Sequence, residues 1–200
     1  MLYRSYAAAV SWYRKAADLG VAEAQNNLGF MYENGTGVTQ DYAAAFSWFR
    51  KAADQGVAEA QNNLGLMYAN GTGVTRDYAA AFSWFRKAAD QGYADAQFNL
   101  GYMYITGRGV SIVATNGPIA VSWFRKAADQ GYAQAQFSLG MMYQNGIGVT
   151  QDYVQALKWY NLSAASGDAE PKTNRDSLAA EMTSAQIAEA QRLASAWVKK

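Results

Sequence analysis

The sequence contains neither cysteine nor histidine in its 200 residues. Without cysteine the chain has no disulfide, no thiolate metal site and no cysteine nucleophile. Without histidine it lacks the commonest metal ligand and the commonest general base. The net charge is only +1, from 17 basic and 16 acidic side chains, so the basic surface typical of nucleic-acid binding is also missing. We therefore expect no enzyme, no metal, no cofactor and no nucleic-acid partner.

Proline is scarce as well, with two residues, and no apolar run approaches the ~20 residues that cross a bilayer. Frequent alanine favours helix over strand. The first residues, Met1-Leu2-Tyr3-Arg4, lack the apolar core and the small-residue cleavage site of a signal peptide. Whether an upstream signal segment was removed stays open, so the sequence leaves cytoplasm and bacterial periplasm undecided.

The dominant positive feature is an internal repeat, marked by tryptophan at steps of 36, 36, 39 and 36 residues. The positions are Trp12, Trp48, Trp84, Trp123 and Trp159. Leu-Gly and Met-Tyr pairs recur in the same register. Segments 21–56 and 57–92 differ at three positions only. A fixed period of this length indicates a stacked repeat protein in which neighbouring units share one core.

Each unit has the pattern of two helices. In the first copy, apolar residues at helical spacing predict one helix from about Ala22 to Glu33, ended by Asn34-Gly35. The second helix is predicted to start near Thr39 or Asp41, which are good N-caps, and to stop at Gly56. We expect Tyr42, Trp48 and Phe49 in the core.

A glycine recurs in the middle of each first helix, where it costs about 1 kcal/mol against alanine. The first of these is Gly29. A costly residue at a repeated position indicates that another helix approaches closely, and we expect the contact at Ala45.

These signals predict one solenoid domain made of repeats and caps. The predicted parts are an N-terminal capping helix (1–20), repeat 1 (21–56), repeat 2 (57–92), repeat 3 (93–131), repeat 4 (132–167) and a C-terminal cap (168–200). Repeat 3 carries a three-residue insertion within 111–116, interpreted as a tolerated surface loop or a partner contact. The cap ends in a helix from about Ser184 to Val198, and Thr183 with Gln186 fits a capping box.

The unit A-E-A-Q-x-N-L-G-x-M-Y-x-x-G-x-G-V-x-x-D-Y-x-x-A-x-x-W-F-x-K-A-A resembles the Sel1-like repeat, a relative of the tetratricopeptide repeat with a longer loop. The match covers residues 22–55, 58–91, 94–130 and 133–166, and the third copy lacks the Asp-Tyr pair. The resemblance implies an all-α, right-handed α–α superhelix (a solenoid) of the bacterial type without cysteines. It also implies a scaffold or adaptor that binds a protein or peptide along a concave face lined by the first helices.

By analogy with tetratricopeptide repeats, the candidate groove positions are those of the first helices that vary while the packing positions stay fixed. They are Asn26, Phe30, Asn62, Leu66, Phe98, Tyr102, Ile105, Phe137, Met141 and Gln144. The apolar members concentrate in repeats 3 and 4, and an exposed apolar patch often marks a binding site. We expect a groove for an extended peptide or a helix; the competing interpretation is that some members pack between repeats.

Two other functions stay open on the sequence alone. Helical repeats of similar period read RNA one base per unit, although such proteins need a positive groove. A consensus-like repeat protein with no dedicated partner is the other, because repeats 1 and 2 are nearly identical. We expect a monomer, with end-to-end self-association left open. Cation pairs such as Arg50-Lys51, followed by Asp54, predict exposed helix ion pairs worth tenths of a kcal/mol.

Overall fold

The computed structural model describes residues 2–111, 116–166 and 169–197. Within these ranges the chain forms eleven α-helices and no strand, which confirms the all-α prediction. The helices are α1 (Leu2–Asp18), α2 (Ala22–Asn34), α3 (Tyr42–Asp54), α4 (Ala58–Asn70), α5 (Tyr78–Asp90), α6 (Ala94–Thr106), α7 (Asn116–Asp129), α8 (Ala133–Asn145), α9 (Tyr153–Ala164), α10 (Ala169–Ala180) and α11 (Ser184–Ser195). They form two compact units, Met1–Ala96 (unit 1) and Gln97–Lys200 (unit 2).

The helix boundaries follow the capping signals of the sequence. Asp41 is the N-cap of α3, where its carboxylate accepts the Ala44 N–H at 3.0 Å. Helix α2 ends at Gly35, whose φ of 66° is the left-handed cap conformation. Thr183 and Gln186 form the predicted capping box at the start of α11. Helix α10 was not predicted, and most of the insertion, residues 112–115, lies outside the described residues.

The recurring mid-helix glycine lets each helix pair pack closely. A Cβ placed on Gly29 would lie 2.6 Å from the Phe49 ring, and one on Gly65 would lie 2.7 Å from the Phe85 ring. The atoms nearest to the missing side chain thus belong to the Phe49 ring, one turn further along α3 than the Ala45 named from the sequence. The same glycine–ring contact joins α8 to α9.

The predicted core assignments hold only in part. Phe49 is fully buried, whereas Trp48 is partly buried and Tyr42 is 41% exposed, so the prediction for Tyr42 was wrong. Tyr42 begins α3, and its hydroxyl accepts a hydrogen bond from Gln40 at the surface. The close contact at this position is made by the backbone of Tyr42 and not by its ring. A Cβ on Gly73 would lie 2.4 Å from the Tyr42 carbonyl oxygen.

Basic side chains cover the repeated tryptophans. In unit 1, Lys87 of the same helix places its Nζ 3.9 Å from the Trp84 ring centroid. Arg50 of α3 places its guanidinium 5.4 Å from the same centroid. In unit 2, Lys158 of α9 places its Nζ 4.3 Å from the Trp159 ring centroid, and Arg125 of α7 places its guanidinium at 5.6 Å. Arg50 also pairs with Asp54 at 3.0 Å, as predicted. The cations that the sequence predicted as partners in exposed helix ion pairs thus also stack on aromatic rings. Such a contact is worth about 0.5–1 kcal/mol at an exposed site.

A buried glutamine in each of the first two repeats links successive helices through the same pair of hydrogen bonds. In unit 1, Gln61 Nε2 donates to the Ala53 carbonyl oxygen at 3.1 Å, and Gln61 Oε1 accepts from Gln91 Nε2 at 2.8 Å. Gln25 makes the equivalent pair of bonds with Ala17 and Gln55. Because a buried amide left without partners is costly, these bonds favour a single stacking register.

We expect Gly65→Ala to destabilise the protein. Phe85 is 2% exposed and has little room to move, so the added methyl should cost about 1–3 kcal/mol of overpacking against a helix-propensity gain of at most about 1 kcal/mol. Urea unfolding followed by circular dichroism measures the difference. Ser83→Ala, on the exposed side of α5, is the matched control and should be neutral or slightly stabilising. A Gly65→Ala protein as stable as this control would contradict the close contact.

Candidate binding pocket

An apolar pocket of about 300 Å³ opens in unit 2 among α6, α7 and α8. Its lining comes from the two first-type helices of repeats 3 and 4, from α7 beneath them and from the loop after α8. The lining residues are Phe98, Tyr102, Ile105, Phe124, Ser138, Met141, Met142, Asn145 and Ile147. The pocket therefore brings together four of the residues named from the sequence: Phe98, Tyr102, Ile105 and Met141.

Helix geometry explains why α6 contributes three of them. Phe98, Tyr102 and Ile105 are separated by four and three residues, so they lie on one face of the helix. Tyr102, Ile105 and Met141 are 46%, 42% and 37% exposed, so they lie at the open side of the pocket. Phe98 is more buried, with ring centroids of Phe124 and Tyr132 at 5.6 and 5.4 Å.

Phe137 and Gln144 do not line this pocket. The Phe137 ring packs against Tyr160 of α9, with centroids 5.7 Å apart, and belongs to the core that α9 shares with α11. Gln144 Oε1 accepts a hydrogen bond from the Tyr160 hydroxyl at 2.6 Å. Burial raises the pKa of this hydroxyl, which keeps it a donor. Both residues thus contact α9 of their own repeat, whereas the competing interpretation of the sequence was packing between neighbouring repeats.

In unit 1 the equivalent positions are more polar. Asn26 and Asn62 are 3% and 4% exposed and stand where repeat 3 has Phe98. Phe30 packs edge-on against Phe49 at 5.2 Å, and Leu66 is 37% exposed. Glu33 stands where repeat 3 has Ile105, and partial burial raises the pKa of its carboxyl. The two units thus offer different chemistry at equivalent positions of one scaffold.

Five lining residues lie outside the ten candidates named above. Phe124 and Met142 recur in register with buried residues of the other repeats and read as core, although each also presents atoms to the pocket. Ser138 looks like an ordinary helix-surface residue, whereas Asn145 is equivalent to Asn34 and Asn70, at a position of the first helices that the analogy with tetratricopeptide repeats assigns to the groove. Ile147 could have been named from the sequence, because it is apolar in a loop where repeats 1 and 2 have threonine. In the structure it is 46% exposed.

The pocket lining contains no charged side chain, so it favours an apolar group over an ion or a phosphate. Within the part of the chain that the structure describes, no group of three or more acidic side chains is arranged to hold a metal ion. No helix in that part has the length and apolar character needed to cross a membrane.

Three solved structures similar to this chain come from bacteria. One is c5321, a protective antigen of uropathogenic Escherichia coli strains that displays an SLR fold, at 37% identity and a TM-score of 0.87. The match covers 96% of this chain but 40% of c5321, so this chain spans well under half of that protein. Another is a Sel1 repeat protein from Oxalobacter formigenes, at 32% identity and a TM-score of 0.79, covering 96% of this chain and 76% of that one.

A third similar structure is the immunity protein Pa5087 of Pseudomonas aeruginosa, at 26% identity and a TM-score of 0.57, covering 96% of this chain and 79% of that one. No curated protein matches the chain. The family model described as the Sel1 repeat matches residues 1–21, 22–57, 58–93, 94–132 and 133–168. These matches take in most of the sequence, and the chain belongs to the Sel1 repeat family.

Proposed function

We propose that this chain is a protein-interaction scaffold whose unit 2 binds a partner by taking one apolar side chain of a peptide or helix into the pocket. Sel1 repeats commonly act in protein–protein interactions and are generally not enzymes. The observation that carries the proposal is the apolar pocket itself, lined at its open side by Tyr102, Ile105 and Met141.

The pocket has a suitable size for a side-chain anchor. A dry apolar cavity on the order of 150 Å³ holds a benzene ring, so about 300 Å³ accommodates an aromatic or branched aliphatic side chain. Large apolar anchors in such pockets commonly dominate the binding energy of an interface. Two methionines in the lining are flexible and polarisable, which suits a surface that adapts to its ligand.

RNA binding has less support than peptide binding. The described lining of the pocket contains no lysine or arginine, and single-stranded nucleic acid needs a positive groove for its backbone. The near-neutral charge of the whole chain points the same way.

We expect Tyr102→Glu to abolish selection of peptides with aromatic or aliphatic anchors. A displayed peptide library is panned on the wild-type protein, and the dissociation constants of enriched peptides are measured by fluorescence anisotropy. A carboxylate in the apolar pocket should cost roughly 2 kcal/mol, or about thirtyfold in Kd.

Leu66→Glu is the matched control for this experiment. Leu66 occupies the equivalent position in repeat 2 and is 37% exposed against 46% for Tyr102, so Leu66→Glu places the same charge at the same repeat position outside the pocket. Peptides that lose affinity equally in both variants, or that carry no apolar anchor, would contradict the pocket as the binding site.

Phe98 and Phe137 are expected to behave differently although they occupy equivalent positions. Phe137→Ala removes a ring that packs on Tyr160 and should lower the free energy of unfolding by about 2 kcal/mol without changing peptide affinity. Phe98→Ala should weaken peptide binding as well, because Phe98 lines the pocket. Urea unfolding and anisotropy titrations measure the two effects separately. Equal losses of affinity in the two variants would show that Phe137 also contacts the ligand.

A further inference from the structure

The apolar pocket of unit 2 has a basic side chain beside its open side. The Arg108 guanidinium lies over the Tyr102 ring, with its Cζ 5.9 Å from the ring centroid. At this distance a cation and an aromatic ring attract each other. Tyr102 lines the pocket, and both side chains are exposed. A ligand that fills the pocket and extends across the Tyr102 ring therefore comes close to the guanidinium.

The loop after each first helix fixes the place of this arginine. The loop reads Gly-x-Gly in all four repeats. Gly107 and Gly109, which flank Arg108, have φ of 66° and 73°, and the two glycines of the repeat 4 loop have 68° and 70°. In repeat 4 the residue between them is Ile147, which lines the pocket. Repeats 1 and 2 have threonine there, so this loop position changes its chemistry only in the two repeats that form the pocket.

The charge that the chain places in this region has one sign. All nine lining residues come from two stretches of the sequence, 96–124 and 130–151. Arg108 is the only charged residue of the first stretch, and the second stretch has none. These stretches therefore offer a positive charge beside an apolar pocket. Such a surface complements a ligand that joins an apolar group to a negative one.

We propose that Arg108 selects partner peptides that carry an aspartate or glutamate within two residues of the apolar anchor. This inference rests on the proposed function, because it names a second ligand group for the same pocket. Two residues of extended chain span about 7 Å, which is comparable with the 5.9 Å from Arg108 to the Tyr102 centroid. A guanidinium has its N–H donors in its plane, so it can bind a carboxylate while its face lies against an aromatic ring.

The test uses two capped pentapeptides with one phenylalanine anchor. The probe is acetyl-Glu-Glu-Phe-Glu-Glu-amide, and acetyl-Gln-Gln-Phe-Gln-Gln-amide is its uncharged counterpart. NMR of the full chain with isotope-labelled methionine methyl groups follows Met141, which lines the pocket. We expect both peptides to shift the Met141 methyl resonance. The glutamate peptide should bind about fivefold more tightly, as for an exposed ion pair of good geometry, and added salt should reduce this preference.

Two variants separate the role of Arg108 from a general effect of charge. In Arg108→Gln the two peptides should bind with equal Kd, because the preference needs the guanidinium. Arg175→Gln is the matched control and should keep the preference, since Arg175 lies in α10, outside the pocket lining, and pairs with Asp176. Each comparison is between two peptides on one variant, so a general loss of affinity or stability cancels.

Equal affinity of the wild-type protein for the two peptides would overturn the proposal and leave the apolar pocket in place. A preference that survives Arg108→Gln, or that Arg175→Gln also removes, would overturn it too, because long-range charge would then explain the difference. If neither peptide moves the Met141 methyl resonance, the pocket itself fails as a binding site and this inference falls with it. The Met141 shift thus distinguishes failure of the proposed function from failure of the charge preference.

Discussion

The close contact between a glycine of the first helix and an aromatic ring of the second is the constraint on which each repeat depends. With no side chain at Gly29, Gly65 or Gly140, the helix backbone lies directly on Phe49, Phe85 or Tyr160. That contact fixes the rotation of the first helix about its axis. Variable positions of the first helices, such as Phe30 and Phe98, lie beside this contact and pack on the same rings. Sequence variation at these positions changes the chemistry of the surface while the glycine–ring contact is kept.

Periodicity in the sequence predicted the helix pairs because each helix repeats the same apolar spacing. Caps were predictable for a local reason: Asp41 and Thr183 satisfy backbone N–H groups only a few residues away. The partner of Gly29 and the exposure of Tyr42 were not predictable. A recurring residue reveals that a position is constrained, but it does not reveal whether the ring, the backbone or a missing side chain is the cause.

The same distinction separates the site residues. Phe98, Tyr102, Ile105 and Met141 could be named because they vary among repeats while sharing a helix face, and the pocket brings them together. Phe137 satisfies the same rule, and its ring packs on Tyr160 as that of Phe98 packs on Phe124. Unlike Phe98, however, Phe137 adjoins the core that α9 shares with the C-terminal helices, and it does not line the pocket. Helix α10 was missed since it follows no repeat pattern and has weak apolar periodicity. Position along the stack therefore decides the role, and a single repeat's pattern does not contain that information.

The buried glutamines have a consequence for how such a chain can change in length. Gln25 and Gln61 make the same two bonds, to the carbonyl oxygen of the helix before and to the glutamine of the helix after. Every junction between repeats built this way is interchangeable with the next. A gene duplication or deletion of one 36-residue repeat would create no new type of junction, so evolution can lengthen or shorten the stack in whole repeats.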